Sequence, residues 1–289
     1  MLRKIALVFA ILILLQKLAF AQFYTGPISS AMGGAGRAGN HPSESAFLNP
    51  ATLYQLKNYY GGVALDWGDH PLEGATNEFA ALLADGTPDK VFPGQFSYVQ
   101  KRVTGTNGFS TNLQDFQLGI AEAPNEYLSF GISVHRETYQ DNTSHAYAQN
   151  NVNFGMLVNP IQQLTFAFVA YDMLGGDDAV PQSYQTISTL ALGSTYAVGD
   201  FFNFNVDLVR PDKFNDGHRL NTQVGVESIV KQYFAFRTGW QWREVGFEEK
   251  LFSFGLGYHG PRLSLDYTFQ KDTLVGAGIR QYVDLWLHF

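Results

Sequence analysis

Between Leu251 and Phe289 the residues change character at every step. Phe252, Phe254, Leu256 and Tyr258 alternate with Ser253, Gly255 and Gly257. After His259-Gly260-Pro261, Leu263, Leu265, Tyr267 and Phe269 alternate with Arg262, Ser264, Asp266, Thr268 and Gln270. The last run sets Val283, Leu285, Leu287 and Phe289 on one face, and Arg280, Tyr282, Asp284, Trp286 and His288 on the other. A period of two is the mark of a strand whose faces meet different surroundings. Runs of about ten residues are the length a tilted strand needs to cross a bilayer.

A soluble antiparallel sheet also alternates, with its apolar face inward. Here the polar face is made of Gly, Ser, Thr and Asn with scattered charges, aromatics gather toward the strand ends, and the chain stops on Phe289 within an apolar row. These features predict an all-β fold, a transmembrane antiparallel barrel whose apolar face meets outer-membrane lipid and whose rims carry aromatic girdles. The row Val283, Leu285, Leu287 and Phe289 looks like the C-terminal signal by which bacterial outer-membrane barrels are read by their assembly machinery. A mean hydropathy of −0.10 does not argue against a membrane, because only alternate residues of such strands face lipid.

Residues 1–21 read as a secretory signal: Arg3 and Lys4, an apolar run from Ile5 to Leu15, then Ala19-Phe20-Ala21. That is a basic n-region, an h-region too short to span a bilayer, and an A-x-A end. Losing Arg3, Lys4 and Lys17 with it takes the net charge from −7 to −10. An acidic balance disfavours a nucleic-acid partner. There are no cysteines, so neither disulfides nor thiol chemistry is expected.

Residues 22–56 have no period of two and are rich in small side chains, as in Gly33-Gly34-Ala35-Gly36-Arg37-Ala38-Gly39. Asn49 before Pro50 predicts an N-cap and a short helix through about Leu56. Gly34, Gly36 and Gly39 satisfy G-x-G-x-x-G, but no strand precedes them and no βαβ unit surrounds them, so the dinucleotide reading is set aside. A compact plug suits the segment, since glycine lets backbone pack closely within a confined lumen.

"SSAMGGAGRAG" followed by "SESAFLNPATL" resembles the N-terminal region of FadL-type outer-membrane transporters of long-chain fatty acids and hydrocarbons. The matching residues are Ala35, Gly36, Arg37 and Ala38, then Asn49, Pro50 and Ala51. PorV-type barrels of secretion systems share the N-P-A segment and a similar closing strand, here Leu265-Asp266-Tyr267. The resemblance implies a hatch at 22–56 inside a barrel formed by 57–289, and about fourteen strands. It also implies a hydrophobic small-molecule ligand taken up passively, with possible lateral release, or, in the PorV-like alternative, docking of exported proteins or partner subunits.

The strand pattern reaches fourteen if Asn77–Ala84 is counted; a short helix over Glu78–Ala84 would leave twelve. An even count with short periplasmic turns, such as Ala123–Glu126 and Gly199-Asp200, favours fourteen. Glu227, Arg237, Arg243, Arg262, Asp266, Arg280 and Asp284 are predicted to face the lumen, where they pair with one another and the plug or form a polar path. Pro93-Gly94 opens the third strand, where the resemblance would place a kink in the wall. The seven histidines stand singly and no serine sits in a G-x-S-x-G elbow, so neither a metal site, a cofactor nor an enzyme is expected. His135 with Ser133 is the nearest approach to a Ser/His pair.

Overall fold

The computed structural model describes residues 24–39, 41–71, 74–87, 93–106, 108–142, 145–182, 184–211, 220–245, 247–273 and 278–289. The expected signal segment at 1–21 lies outside the described residues. A short helix Pro27–Ala31, a single turn Ser45–Leu48 and a 3-10 helix Pro50–Gln55 precede the strands. Asn49 caps the last of these, its side chain accepting a hydrogen bond from Ala51 N with Pro50 at the first helical position.

Fourteen strands follow. They are β1 (Tyr59–His70), β2 (Gly74–Asp85), β3 (Gly94–Thr104), β4 (Ser110–Asn125), β5 (Leu128–Asp141), β6 (Ala146–Ile161) and β7 (Leu164–Tyr171). The rest are β8 (Thr189–Val198), β9 (Phe202–Pro211), β10 (Asn221–Val230), β11 (Phe234–Val245), β12 (Phe247–His259), β13 (Leu263–Asp272) and β14 (Ile279–His288). Each pairs antiparallel with its sequence neighbours, and β14 closes the barrel on β1. Phe289 completes the seam, exchanging backbone hydrogen bonds with Tyr59. The ambiguous stretch Asn77–Ala84 lies within β2, paired along its whole length with β1 and β3, so the helix over Glu78–Ala84 and the twelve-stranded barrel are overturned.

Burial runs opposite to that of a soluble protein. Leu65, Leu118, Ile132, Val134, Leu192, Phe236, Phe254 and Leu285 are exposed on the outer face, while Asp115, Gln117, Glu137, Asp207, Thr268 and Asp284 are buried inside. Polar groups are buried when they find hydrogen-bond partners, and a large apolar surface is left bare when its natural solvent is not water. This inversion settles the choice that alternation left open, in favour of a lipid-facing barrel.

Two stretches of the wall stand apart from this regular pattern, one in expectation and one in fact. Pro93 precedes the first residue of β3, which pairs without a register shift on both sides from Gly94 to Thr104. No register shift marks the kink expected at Pro93-Gly94: the pairing of β3 is regular from Gly94 on, and the Pro93 carbonyl accepts from Ala121 N of β4. The irregular part of the wall is instead at β6 and β7. β7 is only 8 residues long against 16 for β6, so their pairing stops at Phe154 and Ala170. Beyond it the connection from Asp172 to Ser188 takes over, with Met173 N donating to Val152 O.

Candidate functional site

The described residues between Tyr24 and Leu56 lie among the inward-facing side chains of the barrel, and most are buried. Their attachment is organised around Arg37, which is fully buried. Its Nη1 donates to Asp207 Oδ2 on β9 (3.0 Å), Gln223 Oε1 on β10 (2.7 Å) and Gly34 O (3.2 Å), and its Nε donates to Tyr171 Oη on β7 (2.9 Å). The same Asp207 oxygen accepts from the backbone N–H groups of Gly36 and Arg37 at 2.9 and 3.0 Å. Tyr171 in turn donates to Leu48 O, and Asn49 Nδ2 donates to Arg37 O at 3.0 Å. The A-G-R-A and N-P-A motifs are thus two halves of one hydrogen-bonded unit. A buried guanidinium is tolerable because its donors are matched by a carboxylate and neutral acceptors.

The wall is shaped to receive that unit. A Cβ on Gly131 of β5 would collide with Pro50 and Ala51, one on Gly155 of β6 with Asn49, and one on Gly239 of β11 with Met32 and Gly33. Glycine permits this close backbone approach and little else does. Alternation by itself does not single out these inward glycines; the available signal was glycine on the polar face of several strands.

On the opposite side the contact is apolar. Tyr24, Phe47, Leu53 and Leu56 pack with Ala64 of β1, Ala80, Leu82 and Ala84 of β2, Val99 of β3, Ala121 of β4 and Trp286 of β14 in one buried cluster. Tyr24 and Phe47 meet ring to ring, 4.4 Å between centroids. A hydrogen bond from Ser45 Oγ to Gln95 Oε1 (3.1 Å) crosses the same region. Glu44 is buried as well, accepting from Ile28 N (2.7 Å) and Ser29 N (3.0 Å). Burial outweighs those bonds and pushes its carboxyl up to about 7. Burial likewise holds the His41 imidazole below its usual range.

The predicted lumen charges fall into separate groups. Arg237 lies between Glu227 and Asp266, with Nε–Oε1 at 2.7 Å and Nη1–Oδ1 at 2.5 Å, and Asp266 N donates to Asp284 Oδ1 at 3.1 Å. Arg243 pairs with Glu249. Arg280 is half-buried on β14, the strand that closes onto β1. Arg262 is exposed in the turn before β13, so it does not join the lumen set: its inward parity is lost where the strand has not yet begun. Val283 is half-buried and Leu285, Leu287 and Phe289 are exposed on the outer face. Ser133 and His135 do not form a pair. Ser133 Oγ accepts from Gln117 and Asn153, whereas His135 faces carboxylates. Above Tyr24 and Phe47 a small cavity of about 30 Å³ is lined by Asp115, His135, Glu137 and Asp172.

No model of a known protein family matches this sequence, and no curated protein matches it. Solved structures do match. The Ralstonia pickettii toluene transporter TbuX superposes with a TM-score of 0.74 at 12% identity, covering 92% of this chain and 98% of that one. A Pseudomonas aeruginosa FadL homologue gives 0.70 at 12% identity, covering 94% and 99%. The Pseudomonas putida toluene transporter TodX gives 0.66 at 11%, covering 94% and 98%. At such identities the likeness is one of fold, and the fold is the FadL type that the A-G-R-A and N-P-A segments implied.

Proposed function

We propose that this FadL-type barrel sits in a bacterial outer membrane and takes up small hydrophobic or amphipathic molecules passively, with the N-terminal segment as its plug. The observation that carries the reading is the apolar seam between that segment and β1–β4. A lumen of hydrogen-bonded polar groups offers an apolar solute nothing, while a seam of Tyr24, Phe47, Leu53, Leu82 and Val99 does. The seam ends at Leu56, which packs against Gly86 at the periplasmic rim. Release toward that rim needs no break in the wall. Lateral release at Pro93-Gly94 loses its support with the unbroken ladder of β3.

A docking role in the PorV manner keeps two observations in its favour. The cavity above the plug is small and lined mostly by polar groups, and Met173 and Leu174 are exposed on the outer connection. Uptake by cells separates the two. Cells producing the protein should accumulate a labelled monoaromatic hydrocarbon or medium-chain fatty acid faster than cells carrying an empty vector. Ala80→Phe, which fills the seam, should cut that gain several-fold at equal abundance of folded barrel. Uptake at the empty-vector rate for the wild type would remove the transport reading and leave docking.

A further inference from the structure

In the outer half of the lumen β4, β5 and the first residue after β7 bring four ionisable side chains together. His135 Nδ1 lies 3.2 Å from Asp115 Oδ1 and 3.7 Å from Glu137 Oε1, and its Nε2 lies 3.1 Å from Asp172 Oδ1. All four residues are buried. The other oxygen of Glu137 accepts from Tyr139 Oη (2.6 Å) and Gln149 Nε2 (3.3 Å), which turns Oε1 toward the imidazole. Ligand atoms of Asp115, His135 and Glu137 fall within 4.8 Å of one another, beside the 30 Å³ cavity. That is room for about one water molecule to complete a coordination shell.

Two features call for a cation here. Among the described residues no Lys or Arg pairs with these three carboxylates, and His135 is the one basic side chain set against them. Buried charge without matching charge is among the most destabilising features an interior can hold. His135 Nε2 and Asp172 Oδ1 are buried and 3.1 Å apart yet out of line for a hydrogen bond, which a small turn of the imidazole onto a metal at Nδ1 would bring into line. The spacing suits a metal. Two ligand atoms 3.2 Å apart subtend about 100° at an ion about 2.1 Å from each, and 3.7 Å subtends about 120°.

We propose that Asp115, His135 Nδ1 and Glu137 form a binding site for a divalent transition-metal cation, with Asp172 orienting the imidazole from its Nε2 side. One imidazole with two carboxylates suits zinc or manganese rather than calcium, which prefers an all-oxygen shell. The carboxylate behind a ligating histidine is the usual way to hold the ring and its tautomer. Asp172 is a left-handed residue, φ 51, where β7 gives way to the outer connection. Its N–H donates to Asn153 Oδ1 and its carbonyl accepts from Ser188 Oγ. The metal would therefore tie that connection to β4 and β5 and stiffen the outer mouth where β6 has lost its strand partner.

The test uses the full-length barrel folded in detergent, stripped with chelator and titrated calorimetrically with ZnCl2, MnCl2 and CaCl2. We expect one equivalent of Zn²⁺ or Mn²⁺, held more tightly than Ca²⁺, and an X-ray absorption spectrum of the Zn²⁺ form with one imidazole among oxygen ligands. Asp172→Asn should weaken binding about ten- to a hundredfold, and Glu137→Gln by more. His70→Ala, in the separate group His70, Glu249 and Asp272 on β1, β12 and β13, should leave the titration unchanged. Absence of binding up to about 100 µM metal in the folded wild type would overturn the site, since a built site of three ligands binds far more tightly. So would tighter binding of Ca²⁺, an all-oxygen shell, or loss of binding in His70→Ala. The spectrum and the titration of the wild type decide the matter even if Glu137→Gln fails to fold.

Discussion

The N-terminal segment meets the barrel in two unlike ways. Toward β7, β9 and β10 it is held by Arg37, Asp207, Gln223 and Tyr171, through bonds whose lengths and directions leave one position open to it. Toward β1–β4 it is held mainly by the packing of Tyr24, Phe47, Leu53 and Leu56 on small and aliphatic side chains. Hydrogen bonds and buried ion pairs are directional and costly to leave half-made, whereas apolar contact is non-directional and is regained after a small shift. On the proposed uptake reading the first side would hold the segment in place, while the second would part and close around a solute. A plug that admits a solute without being expelled requires both.

Three variants break or sharpen that contrast. The largest effect is expected from Asp207→Ala, which leaves Arg37 buried without its counter-charge at a cost of about 3–5 kcal/mol. The segment should lose its seat, so trypsin should cut the folded protein after Arg37 much faster while the strands stay resistant. Unchanged protection would mean that the polar side does not locate the segment. Leu53→Ala should cost roughly 2–4 kcal/mol through the cavity it leaves, yet it should loosen the seam and raise uptake of an apolar solute without exposing Arg37 to trypsin. Equal exposure in the two variants would dissolve the distinction between the sides.

The smallest effect is a slope. The carboxyl of Glu44 rises to about 7 in the folded segment from an ordinary value of 4.5. Between those values the folded form keeps a proton that the unfolded chain has released, so its contribution is full below pH 4.5 and is lost as the pH rises through 7. Protease protection of the segment should therefore decline from about pH 5 to about pH 7.5, and Glu44→Gln should flatten the decline. A wild type with no such decline would show that Glu44 keeps its ordinary value in the fold.

The strands were legible because each carries its own evidence. Alternation in Phe252–Tyr258 or Leu263–Gln270 needs no partner to be seen, and the parity of the topology brought in Asn77–Ala84, whose Ala-rich pattern is weak by itself. The cap at Asn49 and the turn after it were legible for the same local reason. Arg262 was misplaced because parity says which way a side chain would point within a strand, not where the strand starts. Pro93-Gly94 reads as a break in the wall, whereas the pairing of β3 is regular from Gly94 on, because a proline at the start of a strand leaves the later ladder bonds untouched. The histidines stand apart from one another along the sequence, whereas His135 finds Glu137 two residues away on its own face and Asp115 across the strand pair.

The sequence by itself determined the local geometry and the faces: strands of period two, apolar outward, a small-residue segment before them, and enough strands to close. What only the tertiary structure decided is which buried groups meet. Arg37 finds Asp207 across 170 residues, and His135 finds Asp172 from a strand that stops short. Such pairings depend on cross-strand register, on barrel closure and on the path of the segment through the lumen. A residue's own neighbours in sequence carry no record of these, because register is set jointly by turns and packing along the whole sheet.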